Sequence, residues 1–253
     1  MDTTVVIPSS GKTANLAVFP YKNAKILGRI GNLQVRLATD RQEMEAAQSL
    51  RYKVFAREMG ARLPEEAMKL QRDFDHIDAY CDHILVIDTT LEGDIEDQIV
   101  GTYRLLTQDV AQRHSGFYSQ SEFDVDALVA RHPGKRFMEL GRSCVLPAYR
   151  TRRTIELLWQ GNWAYALAHG IDAMFGCASF PGTSPYAHAM AFSFLHGVAA
   201  AGDDWSVHAI SGRGVSMDMM PEEAIHPRTA LAALPPLVKG YLRLGAKTST
   251  QAV

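Results

Sequence analysis

The sequence predicts a mixed α/β domain, and three observations carry that prediction. Apolar runs of strand length alternate along the chain with stretches of helical apolar period. The 253 residues are 47 % hydrophobic and 21 % charged, an ordinary globular balance that buries a core without staples. No internal repeat, sustained heptad or low-complexity tract is present, which excludes solenoid, coiled-coil and disordered classes.

Residues 1–32 are mixed and unpatterned and read as a leader, with the domain spanning 33–253. Leu33–Leu37 alternates apolar and polar residues as a half-buried strand does. Asp40 then stands three residues before Glu43 in capping-box spacing, and Met44, Ala47, Leu50, Val54 and Phe55 recur at helical intervals as far as Met59-Gly60. The polar stretch 65–78 fits a helix or a loop. Strands are predicted at 81–88, 98–106 and 137–146, with a short helix capped by Asp124 between the last two. A helix over 154–169 presents Ile155, Leu158, Trp159, Trp163 and Leu167 and closes at Gly170. A strand at 172–180, a Pro181-Gly182 turn and a helix over 186–198 follow, then a connection rich in Gly and Met. The last apolar face, from Leu234, stops abruptly.

Cys81, Cys144 and Cys177 are odd in number, far apart and set in apolar stretches, which reads as buried thiols in a reducing cytoplasm. The N-terminus has no secretory pattern, and no run reaches the roughly 18 apolar residues of a spanning helix. The expected location is cytoplasmic, with at most a peripheral contact with the inner membrane.

The net charge of -2 names no partner, but its distribution is polarised. Residues 65–97 hold eleven acids and two bases, whereas residues 131–153 hold seven bases and one acid. These are either solvated faces or one pole for a cationic acceptor and one for an anionic donor. The basic block lacks interleaved aromatics, which argues against nucleic acid. The histidines and cysteines show no metal-ligand spacing, and no G-x-S-x-G elbow is present, so neither a metal site nor a standard α/β-hydrolase is expected.

Between a strand and a helix, Val145-Leu-Pro-Ala-Tyr-Arg150-Thr-Arg152-Arg153 sets backbone N–H groups and positive charge at a helix N-terminus, an anion site in the making. The turn resembles the R/Q-x-x-G-x-G/A pyrophosphate loop of GNAT-type acyltransferases. Arg150 is in place, while Arg153 and Ile155 occupy the two glycine positions. One phosphodiester, as on a 4'-phosphopantetheine arm, suits that departure. In the Glu139-Leu-Gly-Arg142 segment, strand alternation puts Glu139 and Arg142 on opposite faces unless a bulge intervenes.

Taken in order, Arg51-Tyr-Lys-Val-Phe55, Asp75-His-Ile-Asp78, Ile99-Val-Gly-Thr-Tyr-Arg104-Leu-Leu, Ser121-Glu-Phe123, Glu139-Leu-Gly-Arg142 and Leu158-Trp-Gln-Gly161 resemble the bacterial L-ornithine N-alpha-acyltransferases. The match runs over residues 33–245 and is more distantly similar to N-acyl-homoserine-lactone synthases. The resemblance implies a GNAT-like fold with a twisted central sheet flanked by helices. It implies transfer of a 3-hydroxyacyl group from acyl carrier protein to the α-amine of L-ornithine, giving lyso-ornithine lipid. The 4'-phosphopantetheine of the carrier belongs to the donor, and no separate cofactor or metal is implied.

The donor arm is expected to enter where the sheet splays, beside the 145–154 turn. By resemblance, Glu139 is the base; Arg142 and Arg104 orient donor or acceptor; Arg51, Phe55, Asp75 and Asp78 form the acceptor side; Arg150, Arg152 and Arg153 meet the donor. Met174, Phe175, Phe180, Trp159 and Trp163 either line an acyl slot or pack the core. Proteins of this kind continue by about one strand, so the C-terminus is expected to be shortened. The alternatives are the same reaction on glutamine, a lactone-signal synthase and a non-catalytic GNAT-like binding protein.

Overall fold

A computed structural model describes residues 26–253 in full and residues 2–8 as backbone. Along the chain come β1 (Asp2–Pro8), β2 (Ile26–Ile30), β3 (Leu33–Leu37) and α1 (Arg41–Tyr52), which runs on as a π-helical turn through Lys53–Glu58. Next are α2 (Glu65–Leu70), β4 (Asp82–Asp88), the single turn α3 (Ile95–Gln98), β5 (Ile99–Thr107), α4 (Gln108–Arg113) and α5 (Val125–Arg131). The rest comprises β6 (Phe137–Val145), α6 (Arg152–Ala168), β7 (Ala173–Ser179), α7 (Ala189–Ala199), β8 (Val215–Ser216), α8 (Pro227–Ala233), α9 (Pro236–Arg243), β9 (Lys247–Thr248) and β10 (Gln251–Ala252).

The predicted strands and helices from Leu33 onward are all formed. The expectation that regular structure begins only at Leu33 is corrected, because β1 and β2 lie within residues 1–32. The run Thr-Thr-Val-Val-Ile of β1 is β-branched throughout, a strand preference that outweighs the lack of alternation. The remainder of that stretch, 9–25, lies outside the described residues.

The chain divides into two compact units. In the unit of Thr13–Val110 and Leu140–Ile171, strands β2 to β5 form an antiparallel meander, with Ile30 opposite Leu33, Leu33 opposite Asp88 and His83 opposite Arg104. Gly31, at φ +61°, turns the first hairpin. β4 is covered on both faces, which is why it reads as an unbroken apolar run. Leu85 and Ile87 pack with Ala47, Leu50 and Val54 of the α1 segment, and Phe55 lies against the same cluster. Ile84 points the other way, toward α6, where a Cβ on Gly161 would lie 2.7 Å from Val35 Cγ2 and 3.4 Å from Ile84 Cδ1.

That approach rotates α6 from its expected orientation. Ile155 and Leu167 are 43 % and 56 % exposed, while Thr154, Leu157, Leu158, Gly161, Ala164 and Tyr165 are buried. Apolar period selects the largest side chains, but a helix lying close on a sheet needs its smallest ones beneath.

In the unit of Met1–Lys12, Ala111–Glu139 and Asp172–Val253, the first residues of β6 run parallel to β7, with Glu139 beside Phe175. β7 pairs antiparallel with β1, and β1 with β9. The Phe175 ring packs edge-on against Phe117, with centroids 4.9 Å apart, and lies 6.3 Å from Phe137. Phe180 packs on Phe192 of α7. Met174, Phe175 and Phe180 are at most 4 % exposed and belong to this packing. Asp124 caps α5 through the Ala127 N–H, as its position predicts.

All three cysteines are free thiols; Cys144 is buried, whereas Cys81 and Cys177 are half-buried. Among the described residues, no helix is long and apolar enough to cross a membrane.

Candidate active site

Three arginines and three aspartates form a mostly buried network in the meander unit. α1 supplies Arg51, the 71–80 segment supplies Asp73, Asp75 and Asp78, β5 supplies Arg104 and β6 supplies Arg142. Arg51 is 1 % exposed and donates from Nε to Asp73 Oδ2 at 2.9 Å and from Nη1 and Nη2 to Asp78 at 2.8 and 2.7 Å. Its Nη2 also meets the Asp73 carbonyl. Arg104 Nη1 donates to Asp75 at 2.7 Å and to Asp78 at 3.2 Å.

The local chain fixes the acids in turn. Asp75 caps a 3₁₀ turn, His76–Tyr80, by accepting from the Ile77 and Asp78 N–H groups, and Asp78 accepts from the Asp75 N–H in return. The Asp-x-x-Asp spacing is therefore a capping box that aims two carboxylates inward.

The network has an inner and an outer end. The side chains of Arg51, Asp73, Asp78 and Arg104 are at most 6 % exposed, whereas those of Asp75 and Arg142 are 22 % and 25 % exposed. Arg142 Nη2 meets Asp75 Oδ2 at 3.3 Å at that outer end. Burial alone would push the Asp78 carboxyl up, but the Arg51 hydrogen bonds and the Arg104 charge hold it well below the ordinary range. Asp75 moves the same way, the Arg104 charge outweighing burial. His83, facing Arg104 across the β4–β5 pair, is lowered by burial and therefore neutral; its Nε2 lies 3.2 Å from the Asp78 carbonyl.

Arg142 takes a left-handed backbone, φ +50°, costly for a side chain of this size. The strand alternation expected across Glu139-Leu-Gly-Arg142 is interrupted there. Arg51 and Asp78, expected to meet substrate, are instead enclosed within the network and hold its outer members. Phe55, half-buried, packs against the core cluster beside α1.

The donor-side arginines differ among themselves. Arg150 is paired bidentately with Glu58 at 2.6 Å per contact, and its Nε donates to the Val145 carbonyl. Arg152 pairs with Glu156 one turn along α6. Arg153 is exposed in the first turn of α6, which is capped by Thr151 and begins two residues before its expected start.

Glu139 belongs to the other unit. It is 4 % exposed, and three donors converge on it: the Tyr118 N–H at 2.7 Å, the Ser119 N–H at 2.8 Å and the Ser119 hydroxyl. Cys177 Sγ lies 3.3 Å from Ser119 Oγ and 3.7 Å from Glu122 Oε2. Sequence reasoning did not single out Asp73, Ser119 or Glu58 as site residues. Asp73 sits two residues before Asp75 in an acidic run, a signal that was available, whereas nothing local marks Ser119 or Glu58.

Comparison with known proteins identifies the fold and the family. Residues 50–160 match the model of the acetyltransferase (GNAT) domain, and the mixed sheet flanked by helices is that fold. An L-ornithine N(alpha)-acyltransferase of Rhizobium meliloti is 63 % identical over 253 residues, covering 100 % of this chain and 85 % of that protein. One from Agrobacterium fabrum is 58 % identical over 252 residues, covering 100 % and 84 %. Among solved structures, an N-acyl amino acid synthase from uncultured soil microbes gives a TM-score of 0.39 at 14 % identity, over 55 % of this chain and 67 % of that one. With identity of this extent over the whole chain, the chain is an acyltransferase and belongs to the family of the L-ornithine N(alpha)-acyltransferases.

Proposed function

We propose that the protein moves a 3-hydroxyacyl group from acyl carrier protein to the α-amine of L-ornithine, giving lyso-ornithine lipid and free holo carrier protein. The 63 % identity across the chain to an L-ornithine N(alpha)-acyltransferase carries this reading. The site's chemistry supports it. Asp75 and Arg142, the outer members of the network, pair a carboxylate with a guanidinium, the complement of an amino-acid zwitterion. Arg142 then receives the ornithine carboxylate and Asp75 a cationic amine, while Arg104 positions Asp75.

An ammonium is no nucleophile, so one proton must leave before the α-amine attacks the thioester, and Glu139 is the carboxylate assigned to take it. Arg152 and Arg153 meet the carrier protein, whose 4'-phosphopantetheine arm is part of the donor; no other cofactor enters. Both substrates are water-soluble, which fits a cytoplasmic reaction with peripheral contact where the lipid product joins the membrane.

Thiol release from 3-hydroxyacyl carrier protein, measured with ornithine, glutamine, lysine and S-adenosylmethionine in turn, tests the reading. Release is expected with ornithine above all others. Preference for another acceptor, or no release with any amine, overturns it.

A further inference from the structure

Two carboxylates meet the guanidinium of Arg142, and they differ in what they can do when an acceptor arrives. Arg142 Nε lies 3.4 Å from Asp73 Oδ2, and Nη2 lies 3.3 Å from Asp75 Oδ2. Nε and Nη2 share one side edge of the planar group, so the pair of carboxylates sets the plane in which a third can meet it. All three residues belong to one compact unit.

Asp75 is the outer carboxylate, and in the acylation reading it turns to a cationic amine of the acceptor. Asp73 is buried and tied down by three contacts. Its Oδ2 accepts from Arg51 Nε at 2.9 Å, its N–H donates to the Gln48 carbonyl at 3.1 Å, and its own carbonyl accepts from Arg51 Nη2. A carboxylate restrained in this way stays in place while the outer pair changes partners. The backbone of Arg142 agrees with such an anchor. Its left-handed φ of +50° persists only where surrounding contacts determine it, and the pairs with Asp73 and Asp75 are contacts of that kind.

We propose that Asp73 is a positioning residue for the acceptor: its carboxylate keeps Arg142 oriented at Nε, so that the guanidinium receives the acceptor carboxylate while Asp75 receives the amine. This deepens the acylation reading above and rests on it. Without the Asp73 charge, Arg142 relies on Asp75 alone. The group that should take the substrate carboxylate then closes on the group that should take its amine, and an incoming zwitterion must first break that pair. The effect falls on acceptor affinity and leaves the thioester chemistry untouched.

The test uses the full chain and steady-state thiol release from 3-hydroxyacyl carrier protein with ornithine. Asp73→Asn keeps the shape and an oxygen for Arg51 but removes the charge beside Nε. It is expected to raise the KM for ornithine about tenfold, with kcat within about threefold and the KM for carrier protein within about twofold. KM does not depend on the fraction of enzyme that is folded, so lost stability does not imitate this result. Asp73→Glu, which retains the charge, is expected to keep the ornithine KM within about threefold. Arg142→Lys has no Nε to meet Asp73, and adding Asp73→Asn to it should change the ornithine KM by less than about twofold. An unchanged ornithine KM in Asp73→Asn, equal rises in the Asn and Glu variants, or losses that multiply in the double variant overturn the role of Asp73. The two levels separate in the wild type: no thiol release with ornithine overturns the acylation reading itself, whereas release with an ornithine KM indifferent to Asp73→Asn overturns only the positioning role.

Discussion

Arg51 shows how a residue that suggests binding becomes a residue that holds a frame. Its guanidinium is enclosed by Asp73 and Asp78, so removing it leaves two carboxylates buried beside an uncompensated Arg–Asp remainder. Arg51→Met is expected to destabilise the fold by about 3–5 kcal/mol, read from urea denaturation. Arg51→Lys should restore little of this, because one ammonium does not reproduce four directed contacts. The network also sets an acid limit. Folding lowers the Asp75 and Asp78 carboxyls, so their stabilisation is complete above the ordinary aspartate value, about 4, and is lost as pH falls through the folded values. Neutral, buried His83 adds an earlier step of the same sign: the unfolded chain takes up a proton below about pH 6.5, and the folded chain resists it. Urea midpoints should therefore fall in two stages between pH 8 and 3, and His83→Gln should remove the first. By resemblance to known acyltransferases, the sequence named five of the six network residues. It assigned Arg51 and Asp78 to substrate because burial is not written in spacing.

At the scale of elements, local signals located the boundaries well and the faces less well. Asp40 caps α1 by accepting the Glu43 N–H, as the spacing predicts, but the Glu43 carboxylate does not return to Asp40. It takes a bidentate pair with Arg36 and is held at about 2 by that hydrogen bond and by Thr39. For α6 the face was displaced, because the closeness of Gly161 to Val35 is a property of packing alone. Two glycine substitutions separate these influences. Gly240→Ala in α9, with open space around its Cβ position, should stabilise the protein by up to about 1 kcal/mol through helix propensity. Gly161→Ala gains the same propensity but meets Val35 at 2.7 Å, and a net loss of about 1–3 kcal/mol is expected. Thermal melting of both, with Val35→Ala added to relieve the second, checks the signs.

Over the whole molecule, the two opposed charge blocks do not remain as free poles. Asp73, Asp75 and Asp78 of the acidic block are paired with Arg51, Arg104 and Arg142, Asp82 accepts from Tyr165, and Asp88 accepts from Tyr149. In the basic block Arg142 belongs to the same network, and Arg150 is held by Glu58. Reversal of exposed Arg153 should therefore raise the KM for acyl carrier protein about tenfold at low salt, leave kcat unchanged and lose its effect near 0.5 M salt, where screening is short-ranged (about 4–5 Å). Arg150→Glu should instead destabilise the turn, and adding Glu58→Arg should recover stability without recovering donor affinity. Steady-state kinetics across salt, with melting of the same variants, distinguish the two.

The sequence by itself determined the α/β class and the order of nearly every strand and helix from Leu33 onward, because periodicity and caps are local and survive without knowledge of contacts; its resemblance to known acyltransferases supplied the family and the candidate charged residues. Tertiary structure alone decided which of those charges face one another, which end of the network reaches solvent, that Ser119 stands between Glu139 and Cys177, and that Glu58 stands beside Arg150. Those partners lie 20 to 92 residues apart in the chain, and only folding, through burial and close packing, brings them within hydrogen-bond reach.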